Sequence, residues 1–227
     1  GTAGPEIENG EWIVDYTKPG HDWIQDGVVF GEGPVQAGDL IFGESASKPI
    51  LGIHSSSAAF ADPLWSRLEL APGTHGEPGS IGKMQRAGRA LRTKTFTVNH
   101  RFMNYLVRGT GYALVVVDSH RMVQGPLHGR TVKKIGLKGS TPRWVSQDLR
   151  TDYKGHRVHV EFIPDKGKEF AIYMVGQADS PIKIVPIPAP NGTPQFPQDG
   201  LDTAEKLAAA YQSYFGAAVE SLRNGQK

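Results

Sequence analysis

Short apolar runs punctuated by glycine and proline recur from the start of the chain to about residue 178. Runs of that length with turn residues between them predict β-strands rather than helices. The most informative stretch is 105–122. Two apolar runs flank Gly109-Thr110-Gly111, the small residues that a tight connection needs, and the pair reads as a β-hairpin. Its second strand, 112–117, is apolar at every position, which places it at the centre of a sheet with both faces covered. It stops in Asp118-Ser119-His120-Arg121, a polar loop at the end of a rigid strand, and such loops commonly build sites. The cleanest alternation is at 157–163. Val158, Val160 and Phe162 point one way, and Arg157, His159 and Glu161 point the other, so this strand is expected to have one wet face.

Further strands are expected at 11–16, 23–24, 28–30, 40–42, 50–53, 91–98, 131–137, 143–149 and 170–175. About ten short strands joined by turns indicate an all-β, antiparallel β-sandwich. The pattern turns irregular over 55–90, with a short helical turn expected at 62–68 and a glycine-rich loop after it. Six prolines between Pro181 and Pro197 predict an extended linker. A helix follows at about 202–223, capped by Asp202 or Thr203. Leu207, Ala208, Tyr211, Tyr214, Phe215, Ala218, Val219 and Leu222 form its apolar stripe. The expected organisation is a β-sandwich module over 5–180, a Pro-rich linker over 181–200 and a C-terminal helical segment over 201–227.

Composition changes this picture little. The 227 residues include no cysteine, which excludes disulfides, thiolate metal sites and covalent haem attachment within them. No apolar run approaches the ~20 residues that span a bilayer. No charged-then-apolar leader opens the chain, so a signal peptide is expected to be absent or removed. Charge is more informative. The net value of +2 conceals a tract, 78–147, with thirteen Lys and Arg residues against one acid, Asp118. Either acidic neighbours interleave with these strands and cancel the field, or they assemble a basic face for an anionic polymer.

Catalytic motifs are lacking. No nucleophile elbow, phosphate loop, zinc helix or dinucleotide fingerprint occurs. Ser55-Ser56-Ser57 reads as a polar loop. A glycosidase needs two opposed carboxylates, and the core half offers only Asp118, Asp148 and Glu161. His120, His128, His156 and His159 could approach one another as metal ligands, although exposed or core positions are their ordinary fate. Binding is the positive reading. Sugar sites pair an aromatic platform with groups that hydrogen-bond hydroxyls. Trp144, Trp65 and Trp23 are platform candidates whose ordinary alternative is the core. Arg108, Asp118, His120, Arg121 and His128 are the polar set, with an arginine ion pair as the alternative for Asp118.

The segments Val14-Asp15-Tyr16, Trp23-Ile24, Val28-Val29-Phe30-Gly31 and Gly33-Pro34-Val35 are similar to a motif that opens a β-sandwich module of bacterial secreted proteins. Some of those modules are attached to invertase- and levanase-like glycosidases. The strings 91–96, 105–110, 116–129, 143–145 and 153–162 resemble more closely an internal module of large planctomycete proteins that carry a cytochrome-c-like domain. The Asp-Ser-His-Arg-Met and Gly-Pro-Leu-His-Gly parts of 118–129 are the most specific. The resemblance covers about 12–178. It implies a jelly-roll-like sandwich, exported and therefore extracytoplasmic, and excised from a longer chain whose parent is open as an enzyme or a redox protein. The module itself is expected to be non-catalytic and carbohydrate-binding-like, with an anionic, sulfated or uronic polysaccharide as partner. Docking against neighbouring domains is the alternative, and neither nucleic acid nor membrane insertion is expected. Related modules often hold a structural calcium. Here Thr17 and Tyr173 stand where they have acids, so a calcium site of that kind stays open but is not favoured; no other metal, cofactor or haem is expected in this segment.

Overall fold

The computed structural model describes residues 7–20, 23–45, 48–62, 65–67, 86, 88–118, 129–183 and 200–224. In chain order the strands are β1 (Gly10–Asp15), β2 (Ile24–Gly27), β3 (Leu40–Ser45), β4 (Lys48–Ile53), β5 (Ala59–Ala61), β6 (Arg89–Arg92), β7 (Phe96–Thr97), β8 (Phe102–Val117), β9 (Val132–Gly136), β10 (Arg143–Asp148), β11 (Arg157–Pro164) and β12 (Phe170–Ala178). A 3-10 turn at Trp65–Arg67 and one helix, α1 (Ala204–Arg223), complete the elements among the described residues. Every described strand pairing is antiparallel.

The chain divides into two compact units. The first comprises 1–34 and 58–184, and the second 35–57 and 185–227. The first is a curled ten-stranded sheet in the order β1-β12-β8-β11-β6-β2, with β9 and β10 also pairing with β8. One expectation is corrected here. Residues 102–117 are a single sixteen-residue strand and not a hairpin. Gly109 bends the strand with φ +86. A Cβ on Gly109 would lie 2.0 Å from the Glu169 carbonyl oxygen, so the close approach of β12 requires glycine. At the bend the partners of β8 change. Residues 102–109 pair with β12 and residues 102–107 with β10, whereas 110–114 pair with β9 and 111–117 with β11.

The inward-facing residues of both halves meet in one core. Tyr105, Val107, Ile172 and Val175 come from the first half, and Val115, Val117, Val160 and Phe162 from the second. Tyr105 meets Phe162 edge to face at 5.5 Å, and its hydroxyl donates to Gln147 Oε1 at 2.6 Å. Burial pushes the Tyr105 hydroxyl far above its ordinary pKa. The two outward faces carry their own apolar clusters, Leu106, Ala171 and Met174 on one half and Ala90, Leu114 and Ile163 on the other.

In the second unit β3 and β4 pair as a hairpin. Ile50 and Ile53 pack with Leu201, Leu207, Ala210, Tyr211 and Tyr214 of the helical segment. Residues 35–57 fall inside the 5–180 module by sequence, yet they group with the helix because both need the same apolar contact. The Tyr211 hydroxyl donates to the Gly38 carbonyl at 2.9 Å. Thr203 is the cap: its Oγ1 accepts from Lys206 N at 3.3 Å, while its carbonyl accepts the first helical bond from Leu207 N at 3.1 Å. Thr203→Ala is expected to destabilise this unit by about 1 kcal/mol, read as helix loss at lower temperature by far-ultraviolet circular dichroism.

Candidate functional site

The outward row of β11 is Arg157, His159 and Glu161. Alternation predicted that row to be wet, but His159 is 9% and Glu161 4% exposed. A buried carboxylate persists as an ion only if it is paired and hydrogen-bonded. Arg86, just before β6, supplies that pairing. Its Nε donates to Glu161 Oε2 and its Nη2 to Oε1 at 2.7 Å. The ring of His159 adds a third contact, Nε2 to Glu161 Oε1 at 3.1 Å. Burial raises the Glu161 pKa, but the hydrogen bonds from His159 and Arg86 outweigh it and hold the group at about 2. An ionised carboxylate only accepts, so Nε2 carries the proton of that contact.

The other ring nitrogen, Nδ1, faces Asp118 Oδ1 at 4.0 Å. Asp118 Oδ2 lies 3.8 Å from Arg157 Nε, and the two side chains are 41% and 71% exposed. The Asp118 backbone N–H donates to the Arg157 carbonyl at 3.0 Å, which fixes the end of β8 beside the start of β11. The result is one polar line, Arg86–Glu161–His159–Asp118–Arg157, anchored at its buried end and open at the other. Glu161 is buried and committed to Arg86 and His159. Asp118 and Arg157 offer an acceptor and a fork of donors side by side.

The other described members of the predicted site set lie elsewhere. Arg108 and Trp144 share the outward face of the first half of β8 and its neighbour β10, through the pairing of Trp144 with Leu106. Arg108 is separated from Asp118 by ten strand positions, on the order of 30 Å along the chain at ~3.3 Å per residue. It pairs with Glu169 and not with Asp118. Trp144 stacks on Trp12 at 5.7 Å and 28° and packs on the Leu106 and Met174 cluster. Gly176 makes room for that arrangement, since a Cβ there would lie 3.0 Å from the Trp12 ring. Trp23 meets Tyr16 edge to face and packs against the core, and Trp65 is 43% exposed. His120, Arg121 and His128 lie outside the described residues. His156 packs beside Tyr153.

The basic tract interleaves with acids. Arg86, Arg101, Arg108, Arg130 and Lys134 pair with Glu161, Asp148, Glu169, Asp152 and Asp165, all of them supplied by 148–169. Arg101 grips Asp148 with two bonds, of 2.9 and 2.7 Å, and holds its carboxyl well below the usual range. Neither Asp148 nor Glu161 therefore retains a proton near neutral pH, as a general acid must.

Three members of the polar line, Arg86, Arg157 and His159, were not in the predicted binding set, and Glu161 appeared only as a possible glycosidase carboxylate. The alternation of β11 was the available signal, but it gives the face of each side chain and not what lies above it. Arg86 could not have been found, because it is 75 positions from its partner. Comparison with family models, curated proteins and solved structures finds no match for the chain.

Proposed function

We propose that the chain is a non-catalytic, carbohydrate-binding-like module, of the jelly-roll β-sandwich kind, from a larger exported bacterial protein. Its ligand is a polysaccharide, sulfated or uronic. The polar line on the second half of the sheet carries this reading, because its exposed end sets the Asp118 carboxylate beside the Arg157 guanidinium. A carboxylate accepts from sugar hydroxyls, and a guanidinium fork suits a ring carboxylate or a sulfate. Arg92, exposed and paired across strands with Glu161, adds a further cation on that face. The ion pairs of the basic tract argue for local contacts rather than for a broad basic field.

The test is retention on gels of polygalacturonate, dextran sulfate and neutral dextran over a range of salt. Asp118→Asn and Arg157→Ala are each expected to weaken binding about tenfold, the size of one charge-assisted contact. Exposed pairs contribute roughly 0–1 kcal/mol to folding, so the melting temperature should hardly move. Binding to an anionic polymer should also fall as salt rises, because screening acts over ~10 Å at 0.1 M. Retention unaffected by both substitutions would remove the polar line as the site.

A second reading, a module that docks against neighbouring domains, is favoured by the second unit. Phe42 is 72% exposed and Leu51 40% on its hairpin, and Phe215 is 50% and Val219 46% on its helix. Exposed apolar groups in such number suit contact with protein more than with sugar. Absence of retention on every polymer would favour this second reading.

A further inference from the structure

Arg108 takes no part in the polar line, and its setting is unusual. Its guanidinium lies over the Phe60 ring, 5.0 Å from the centroid. Nη1 donates to the Ser140 carbonyl at 3.2 Å, and Nη2 donates to one oxygen of Glu169. Nε is buried and has no hydrogen-bond partner among the described residues. The side chain is only 16% exposed, while that of Glu169 is 49% exposed. The backbone beneath is pinned: the Glu169 carbonyl accepts from Thr110 N at 2.9 Å and fills the space where Gly109 lacks a Cβ.

Arg108 is thus a rigid cation held on one face and one edge. Nε and Nη2 form its other edge, the one that binds a carboxylate or sulfate with two parallel bonds. Glu169 engages that edge with a single oxygen and leaves Nε unmatched. A buried donor without a partner is unfavourable, so a better-fitting oxyanion has something to gain there. We propose that Arg108 is a second oxyanion seat of the module and that Glu169 is an internal placeholder, displaced by a carboxylate or sulfate group of an anionic polysaccharide. This rests on the glycan-binding reading above but uses a different face of the first unit.

The experiment measures affinity of the full chain for dextran sulfate, polygalacturonate and neutral dextran at fixed ionic strength, with melting temperature recorded for each protein. Glu169→Gln is expected to tighten binding of one anionic polymer by about tenfold, as one charge-assisted contact is freed, and to leave neutral dextran unchanged. The polymer that gains identifies the anion. Adding Arg108→Lys to Glu169→Gln should abolish the gain, because an ammonium keeps the charge but lacks the fork. Asp152→Asn, which removes an exposed acid elsewhere, should give no comparable gain. If the unaltered protein retains an anionic polymer and Glu169→Gln binds no tighter, the seat is refuted while the polar line stands. A gain that survives Arg108→Lys, or that Asp152→Asn reproduces, reduces the effect to net charge and refutes the seat as well. Failure of every protein to retain any polymer overturns both readings.

Discussion

Gly109→Ala is expected to be among the most damaging single-methyl changes in the first unit. The residue has φ +86, where an alanine carries a conformational cost of its own, about 1–2 kcal/mol. The steric term is larger. The new Cβ would sit 2.0 Å from the Glu169 carbonyl oxygen, 2.6 Å from its carbon and 3.1 Å from Phe170 Cα, all backbone atoms that no rotamer change can clear. Relief requires β12 to retreat from β8 at the pairing of Phe170 with Gly109, which disturbs Phe170, a fully buried core residue. A loss of more than about 4 kcal/mol is expected, in the exceptional range for one substitution. Gly139→Ala is the control. It has φ +92 but nothing within 4 Å of its would-be Cβ, so it should cost only about 1 kcal/mol. Equal melting temperatures for the two variants would mean that the close approach at the bend does not restrain the fold.

That same glycine shows what could and could not be read beforehand. A tight turn and a bend inside a continuous strand both require a positive φ and no Cβ, so Gly109-Thr110-Gly111 fits either. The difference lies in partners far along the chain: Thr110 N binds the Glu169 carbonyl, and Asp165 N binds the Thr110 carbonyl. Local pattern sufficed where local forces decide. It located β1, β9, β10, β11 and β12 closely, and Thr203 capped the helix as one of the two residues proposed. It gave Asp118 as a polar strand end, which is where the candidate site opens. It did not give Glu169 as the partner of Arg108, a contact across 61 positions. Nor could it show that 35–57 would join the helix, since apolar strands such as Ile50–Ile53 carry no label saying which apolar surface they will meet.

Acid is expected to unfasten the polar line through Glu161. Its pKa in the fold is about 2 against an ordinary 4.5, so on acidification the unfolded chain takes up the proton first. The stability owed to the ionised group is complete above about pH 5 and is lost as pH falls from 4.5 toward 2. At about 1.4 kcal/mol per pKa unit that amounts to roughly 3 kcal/mol. Glu161→Gln removes the charge at every pH and leaves the half-exposed Arg86 and the buried His159 without it. Breaking a buried pair costs roughly 3–5 kcal/mol, and the partial exposure of Arg86, 42%, moves the expectation toward the lower end. For a unit of this size the melting temperature should drop by several degrees, at about 2–4 °C per kcal/mol. The substitution should also flatten the acid limb of the stability curve, which loss of packing alone would not do. A cycle with Arg86→Gln separates the pair from the site: the double variant should be destabilised by less than the two single losses combined. A Glu161→Gln protein with the same stability at neutral pH and the same acid limb as the unaltered chain would show that this carboxylate does not anchor the line that ends at Asp118.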